Sequence, residues 1–357
     1  MNKLDCIELI KNLSSLTGVS GYEQKNAEYI SNIFKKYCDN VYTDALGSLI
    51  AVRKADIKDG ETPKKIMVEA HMDEIGLMIT KIDEDGFLYF TSIGGIDTRI
   101  LLASEVTVHG KKDITGVIGA KPPHVQSADE QGSPVSADKL YIDTGYSRKE
   151  IEKIVSVGDT ATFMNEFLTL KNDYISTKSQ DDRSSVAVLV MVMDYLKNVK
   201  LPFDVYFVAT VQEEVGTRGA KTVAYLINPD AAIAIDVCHG LTPDSSPLDA
   251  VNCASGTVVT KGPNIHPVFV KKLIECLNEN GVKYTCDVAG GNTGTDAWAI
   301  QTAKHGIPTV LLSLPLKFMH TPIETLSLTD VKATAEAIGT FLKSVENAED
   351  IICFGKL

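Results

Sequence analysis

The stretch VYFVATVQEEVGTRG, residues 205–219, joins an apolar run rich in β-branched and aromatic side chains to two adjacent carboxylates and two backbone-breaking glycines. A strand of this composition is buried on both faces, as in a parallel sheet. Glu213 and Glu214 then emerge at its carboxyl end, the rim at which open α/β sheets bind ligands. Successive side chains on a strand point to opposite faces, so the two acids need not share a task. One can hold a metal while the other handles a proton. A solvated Glu-Glu turn explains the same residues equally well, so the other strand ends carry the decision.

The strand expected at residues 65–70 leads into His71-Met72-Asp73-Glu74. A metal-binding imidazole usually gives its second N–H to a carboxylate, and Asp73 is spaced to receive it. Residues 231–235 end in Asp236, and residues 309–314 lead into PLKFMHTP, which carries His320. Asp181 and Asp182 open the helical apolar run at 186–196. The helix dipole accounts for one acid at such a start but hardly requires two. The turn GGNTGTDA, residues 290–297, lacks both G-x-G-x-x-G and a G-K-[ST] ending, so it is no phosphate loop. It reads as a tight substrate-facing turn that opens a helix, with Thr295 and Asp296 as candidate substrate contacts.

The rest of the chain divides by texture. Leu4, Ile7, Ile10 and Leu13 follow a helical period, and Ser20-Gly21-Tyr22-Glu23 reads as a capping box before a second helix that buries Ala27, Ile30, Ile33 and Phe34. Strands are predicted at 41–43 and 49–53. Residues 75–168 switch to short alternating strands with Gly and Asp turns, the mark of a small β-domain rather than βαβ units. Within it, 119–136 is a polar Pro/Gly loop, and His109 and His124 read as surface or interface residues. Residues 256–262 read as loop, 267–280 as an amphipathic helix and 326–345 as a closing helix. The expected organisation is therefore α/β, with a discontinuous domain at 1–74 and 169–357 and an inserted β-domain at 75–168.

Composition bounds the possibilities. A chain of 357 residues exceeds the usual single-core size and favours two domains. Its 44% hydrophobic and 23% charged residues are ordinary for a globular protein. The net charge of −12 and pI near 5.1 disfavour nucleic acid and anionic membrane as partners, since no basic surplus exists to neutralise phosphates. Asp5 and Glu8 interrupt what would be the core of a signal peptide, and the run at 186–193 is too short to span a bilayer. Seven cysteines without a C-x-x-C pair fit reduced thiols and a cytoplasmic location.

Imidazole and carboxylate ligands suit borderline divalent metals, and this set is the right size for two ions with one bridging carboxylate. Such a centre activates a shared water and stabilises a tetrahedral oxyanion. A carboxylate outside the ligand shell must then move the proton, a role open to Glu213 or Glu214.

Taken in order, AHMDEIG, DDR, VQEEVGTRG, IDV, TDA and MHTP resemble the dinuclear metallo-aminopeptidases of the glutamyl aminopeptidase and tetrahedral (TET) aminopeptidase family, some of whose members carry the name endoglucanase. The likeness covers nearly the whole chain. It implies that Asp181 bridges two divalent ions (Zn, Co or Mn), with His71 and Asp236 completing one site and Glu214 and His320 the other. It implies Glu213 as general base and Asp73 as the group orienting His71. It further implies a zinc-peptidase-like α/β/α sandwich with a mixed, largely parallel sheet, interrupted by a barrel-like β-domain that assembles subunits, commonly into a tetrahedral dodecamer acting on peptides. Ser179-Gln180 before the acid pair and Asn292-Thr293-Gly294 in the turn depart from the pattern and leave the preferred amino-terminal residue open. A metal-dependent deacylase or carboxypeptidase on a similar domain is the alternative. A glycosidase needs two carboxyls across a sugar, usually in an aromatic cleft, and the single tryptophan, Trp298, argues against one. A binding protein that has lost catalysis would lack a ligand or base, and none is lacking.

Overall fold

The fully buried strand that residues 205–211 demand lies near the centre of a mixed sheet in the computed structural model, which describes residues 3–58, 60–126 and 136–346. In chain order the first part supplies α1 (Lys3–Ser15), α2 (Gln24–Phe34), β1 (Asn40–Thr43), β2 (Leu49–Arg53) and β3 (Lys64–His71). Next come β4 (Gly76–Ile82), β5 (Leu88–Ile93), α3 (Thr98–Leu101), β6 (Glu105–His109), β7 (Asp113–Gly119), β8 (Tyr141–Asp143), α4 (Arg148–Ile151) and β9 (Thr160–Phe163). The chain then returns through β10 (Leu168–Thr169), β11 (Tyr174–Ser176), α5 (Gln180–Leu196), β12 (Phe203–Thr210), α6 (Arg218–Ile227) and β13 (Ala231–His239). It ends with β14 (Thr257–Lys261), α7 (Pro267–Asn280), β15 (Tyr284–Val288), α8 (Asp296–Ile300), β16 (Thr309–Leu316), β17 (Thr325–Ser327) and α9 (Leu328–Ser344).

The main sheet runs β1-β2-β12-β3-β13-β16-β14-β15. Its centre is parallel, β12 beside β3, β3 beside β13 and β13 beside β16, while β2 and β14 join antiparallel. Every residue of β12 is buried, because helices cover both faces. Helix α5 is apolar on every side through 186–193 and is buried from Gln180 to Met193, packed against α1, α9, β3 and β13, while α6 and α8 pack together against β12, β13 and β16. The result is an α/β/α sandwich.

Strands β4 to β9 close into a separate barrel, in the order β4-β5-β8-β7-β6-β9, around its own core of Leu77, Ile79, Val106, Val108, Ile118 and Ile142. The polar loop predicted at 119–136 lies partly outside the described residues, which omit 127–135. No helix among the described residues is long and apolar enough to cross a membrane.

The structure corrects several local expectations. Ser20 forms no capping box: α2 begins at Gln24, and the Ser20 hydroxyl donates to Asp73 Oδ2 at 2.6 Å. A buried carboxylate is the stronger acceptor, so tertiary contact overrides the local signature. Residues 257–261, read as loop, form β14, and β15 had no sequence counterpart; β13 continues past Asp236 because its register with β16 extends to His239 and Leu316.

Leu189 on α5 is fully buried. Leu189→Ala is expected to cost about 2–5 kcal/mol through lost burial and the cavity left behind. Chemical denaturation checks this; a loss below about 1 kcal/mol would mean that α5 is not enclosed as described.

Candidate metal centre

Sheet register brings the distant strand ends together. In the parallel pairing His71 stands beside Thr210, three residues before Glu213. Ala234 pairs with Glu69, so two residues further on Asp236 comes level with His71. Asp236 also pairs with Ser313 of β16, the strand that leads toward His320. His71, Asp181, Glu213, Glu214, Asp236 and His320 consequently all line one cavity of about 750 Å³.

Asp181 is the centre of the group. Its Oδ1 lies 3.0 Å from His71 Nε2 and its Oδ2 3.3 Å from His320 Nε2. Glu214 Oε1 lies 3.3 Å from the same His320 nitrogen. The outer ring nitrogens face acceptors: His71 Nδ1 is 3.5 Å from Asp73 Oδ1, and His320 Nδ1 is 2.7 Å from the Gly95 carbonyl. That arrangement turns both Nε2 atoms inward.

Neighbouring groups fix the loops that carry these ligands. Asp73 accepts the backbone N–H groups of Glu213 at 3.0 Å and Glu214 at 3.2 Å. Glu324 accepts those of Asp181 at 3.0 Å and His320 at 2.8 Å, so one buried carboxyl ties two ligand-bearing segments. Glu74 binds Lys178 at 2.6 Å, faces Arg183 at 3.7 Å and accepts the Ser179 hydroxyl, which anchors the turn before Asp181. The Asp181–Asp182 peptide is cis.

Charge is crowded here. Burial disfavours the Asp181 carboxylate, but hydrogen bonds from His320 and His71 outweigh it, and its pKa lies well below the usual value. Burial likewise works against charge on the imidazoles, yet Asp181 and Glu214 push His320 to about 11, and Asp181 and Asp73 hold His71 well above its ordinary range. Burial, then Asp236, Asp296 and Glu214, pushes Glu213 up to about 10 despite His71. Asp236 and Asp182 are raised well above normal, chiefly by burial.

The acids and two imidazoles together offer a set of donor atoms suited to a cation. Donor atoms of His71, Asp181 and Glu214 lie within 4.8 Å of one another, and so do those of His71, Asp182 and Asp236. Asp182 Oδ1 is buried without a hydrogen-bond partner. Imidazole and carboxylate donors in these numbers fit a borderline divalent metal.

Three residues lay beyond the predicted set. Asp182 joins the second trio and accepts the His71 N–H through Oδ2 at 3.3 Å. Glu324 acts by its carboxyl on the backbone N–H groups of other segments and Gly95 by its own carbonyl, and contacts to backbone leave no trace in a side-chain pattern. The two predicted substrate contacts separate: Thr295 lines the cavity and shares a 2.9 Å hydrogen bond with Thr293, while Asp296 is turned inward to accept the Thr210 hydroxyl at 2.6 Å. Of the histidines read as surface residues, His124 is exposed and His109 is held by Asp113 and Thr162 at 2.9 Å each.

Fold and site together define an α/β enzyme with a multi-carboxylate, two-imidazole centre at the carboxyl edge of a mixed sheet. Residues 47–336 match the model of the M42 glutamyl aminopeptidases, and the chain belongs to that family of aminopeptidases. The lysyl aminopeptidase of Pyrococcus furiosus is 33% identical over 95% of this chain and 97% of its own. An aminopeptidase from the archaeon Desulfurococcus kamchatkensis superposes with a TM-score of 0.88 at 36% identity, covering 96% of this chain and 95% of that one. The TET1 peptidase of Pyrococcus horikoshii, described as assembling into a tetrahedron or a large octahedral shell, gives a TM-score of 0.83 at 34% identity over 95% of this chain and 100% of its own.

The raised imidazoles generate a prediction. His320 titrates at about 11 without metal, so it is protonated at pH 7 and must lose that proton before Nε2 can bind an ion. Divalent metal uptake at pH 7 is therefore expected to release protons, and affinity to rise with pH. Calorimetry in buffers of different ionisation enthalpy reads this directly; uptake without proton release would contradict the assignment of His320.

Proposed function

We propose that this protein is a metal-dependent aminopeptidase that hydrolyses the amino-terminal residue of peptides at a two-metal centre, with Glu213 as general base. The observation that carries the reading is Asp181, whose two carboxylate oxygens face the Nε2 atoms of His71 and His320 separately. It is the placement a bridging ligand requires. His71 and Asp236 would then hold one divalent ion, Zn, Co or Mn, and Glu214 and His320 the other.

When bound, the ions supply Lewis acidity toward the scissile carbonyl and lower the pKa of the attacking water. Asp73 holds His71 by its Nδ1 edge, and the Gly95 carbonyl does the same for His320. Glu213, anchored through its backbone N–H to Asp73, keeps its carboxyl toward the cavity, accepts the water's proton and delivers it to the departing amine. Of the groups that raise Glu213 besides burial, Asp236 and Glu214 are the two whose charge bound cations would offset, which would bring its carboxyl part of the way back toward a working base.

The same reading assigns self-association to the segment 75–168. A closed barrel with its own core, and the named assembly of the TET1 relative, support a homo-oligomer such as a dodecamer.

Dialysis against chelator is expected to abolish release of amino acids from aminoacyl-p-nitroanilides, and Zn, Co or Mn to restore it for free-amine substrates only. Glu213→Gln is expected to lower kcat by about 100- to 10,000-fold with metal content retained. Metal-independent release, equal cleavage of amino-acetylated substrates, or an active Glu213→Gln enzyme would each overturn the proposal.

A further inference from the structure

The family name and the named relatives point to different preferred residues, glutamyl in one case and lysyl in another. Selectivity must therefore reside in the cavity wall, and sheet register shows what that wall presents. Ala234 pairs with Leu311, Val259 with Leu312, and Thr260 with Asp287. Side chains two apart along a strand share a face. Asp236 and Cys238, Leu311 and Ser313, Thr260 and Asp287 accordingly form one continuous surface from the metal ligands to the far edge of the sheet, and all of them line the cavity.

Asp287 closes that surface on the edge strand β15. It is half-buried, and its Oδ1 accepts the Val288 N–H at 2.8 Å. The path from β13 to β15 crosses three strand spacings, about 14 Å. Asp236 and Asp287 rise from the same face at either end of that path, and the separation suits a long substrate side chain rather than a short one. The path itself is lined by small, neutral groups, Thr260, Ser313 and Cys238. Asp249, at the mouth, adds a second negative group. Among the lysines and arginines of the described residues only Lys221 lines the cavity, on the α6 side, with its ammonium donating to the Gly216 carbonyl at 3.1 Å.

Resting on the aminopeptidase reading, we propose that Asp287 is the specificity-determining residue of the subsite for the amino-terminal side chain, and that it selects long cationic residues, lysine and arginine. The apolar stem lies along Leu311 and Cys238, and the ammonium or guanidinium meets the Asp287 carboxylate. An acidic side chain would face Asp287 as a like charge, and a leucine would offer it no opposite charge.

The test uses the metal-loaded enzyme and p-nitroanilides of lysine, arginine, norleucine, leucine and glutamate. Norleucine has the four-carbon stem of lysine without the ammonium, so the wild-type ratio of kcat/KM for lysine over norleucine isolates the ammonium. It is expected to be about tenfold to a hundredfold, the range of a hydrogen bond to a charged group. Asp287→Asn should collapse that ratio, and Asp287→Lys should raise the ratio of glutamate over leucine. Every readout is a ratio within one protein, so a loss of folded enzyme does not imitate the result. Norleucine, leucine or glutamate hydrolysed faster than lysine, or a lysine-over-norleucine ratio unmoved in Asp287→Asn, would overturn the subsite while leaving the aminopeptidase intact. Failure of the wild type on every free-amine substrate would instead overturn the reading beneath it.

Discussion

The carboxylate of Asp73 is the contact on which the centre depends. It is fully buried, and it accepts the Ser20 hydroxyl and the backbone N–H groups of Glu213 and Glu214 while facing the His71 ring. One side chain thereby joins the segment before α2, the end of β3 and the end of β12. Burial works against its charge, but the bonds to His71 and Ser20 and from Glu213 outweigh the penalty and hold its pKa below the usual value. Removing such an acceptor strands buried donors, which costs more than the bonds themselves contribute. The neighbouring Glu74 takes different partners and does corresponding work for the turn before Asp181 through Lys178, Arg183 and Ser179. Adjacent acids thus organise the two halves of the site.

The inserted barrel is more than an appendage. Gly95 belongs to the segment that follows β5, and its carbonyl receives the His320 ring N–H. Gly94 adopts φ +76°, and an added Cβ would lie 3.2 Å from Glu214 Oε2, so the chain passes the ligands closely at a position only glycine fills easily. The barrel segment therefore contributes directly to the geometry of a site whose candidate metal ligands all come from the sandwich.

Most of the architecture was legible because its signals are strong. Fully buried strands such as β12 and β16 read as largely apolar runs, and candidate ligands near their ends stand out as abrupt acids or histidines. Helix α7 matched its predicted span, since its apolar spacing is regular. What escaped lacked a local signal. Strand β15 is a half-exposed edge with no apolar pattern, and β14 lies between glycines that suggest a loop. That omission hid the Asp287 wall, which exists only through pairing. Ser20 showed a genuine helix-start pattern and was claimed by Asp73 instead. Glu324 sits between ordinary residues, and its role appears only when His320 and Asp181 are brought to either side of it.

The central claim is that Asp181 joins two cations beside Glu213. Anomalous diffraction at the zinc edge from crystals equilibrated with Zn tests it most directly. The account predicts two peaks per subunit, flanking Asp181, one against His71 and Asp236 and the other against Glu214 and His320, with the Glu213 carboxyl facing the space between them. A single peak, or peaks that leave Asp181 on one ion alone, would contradict it.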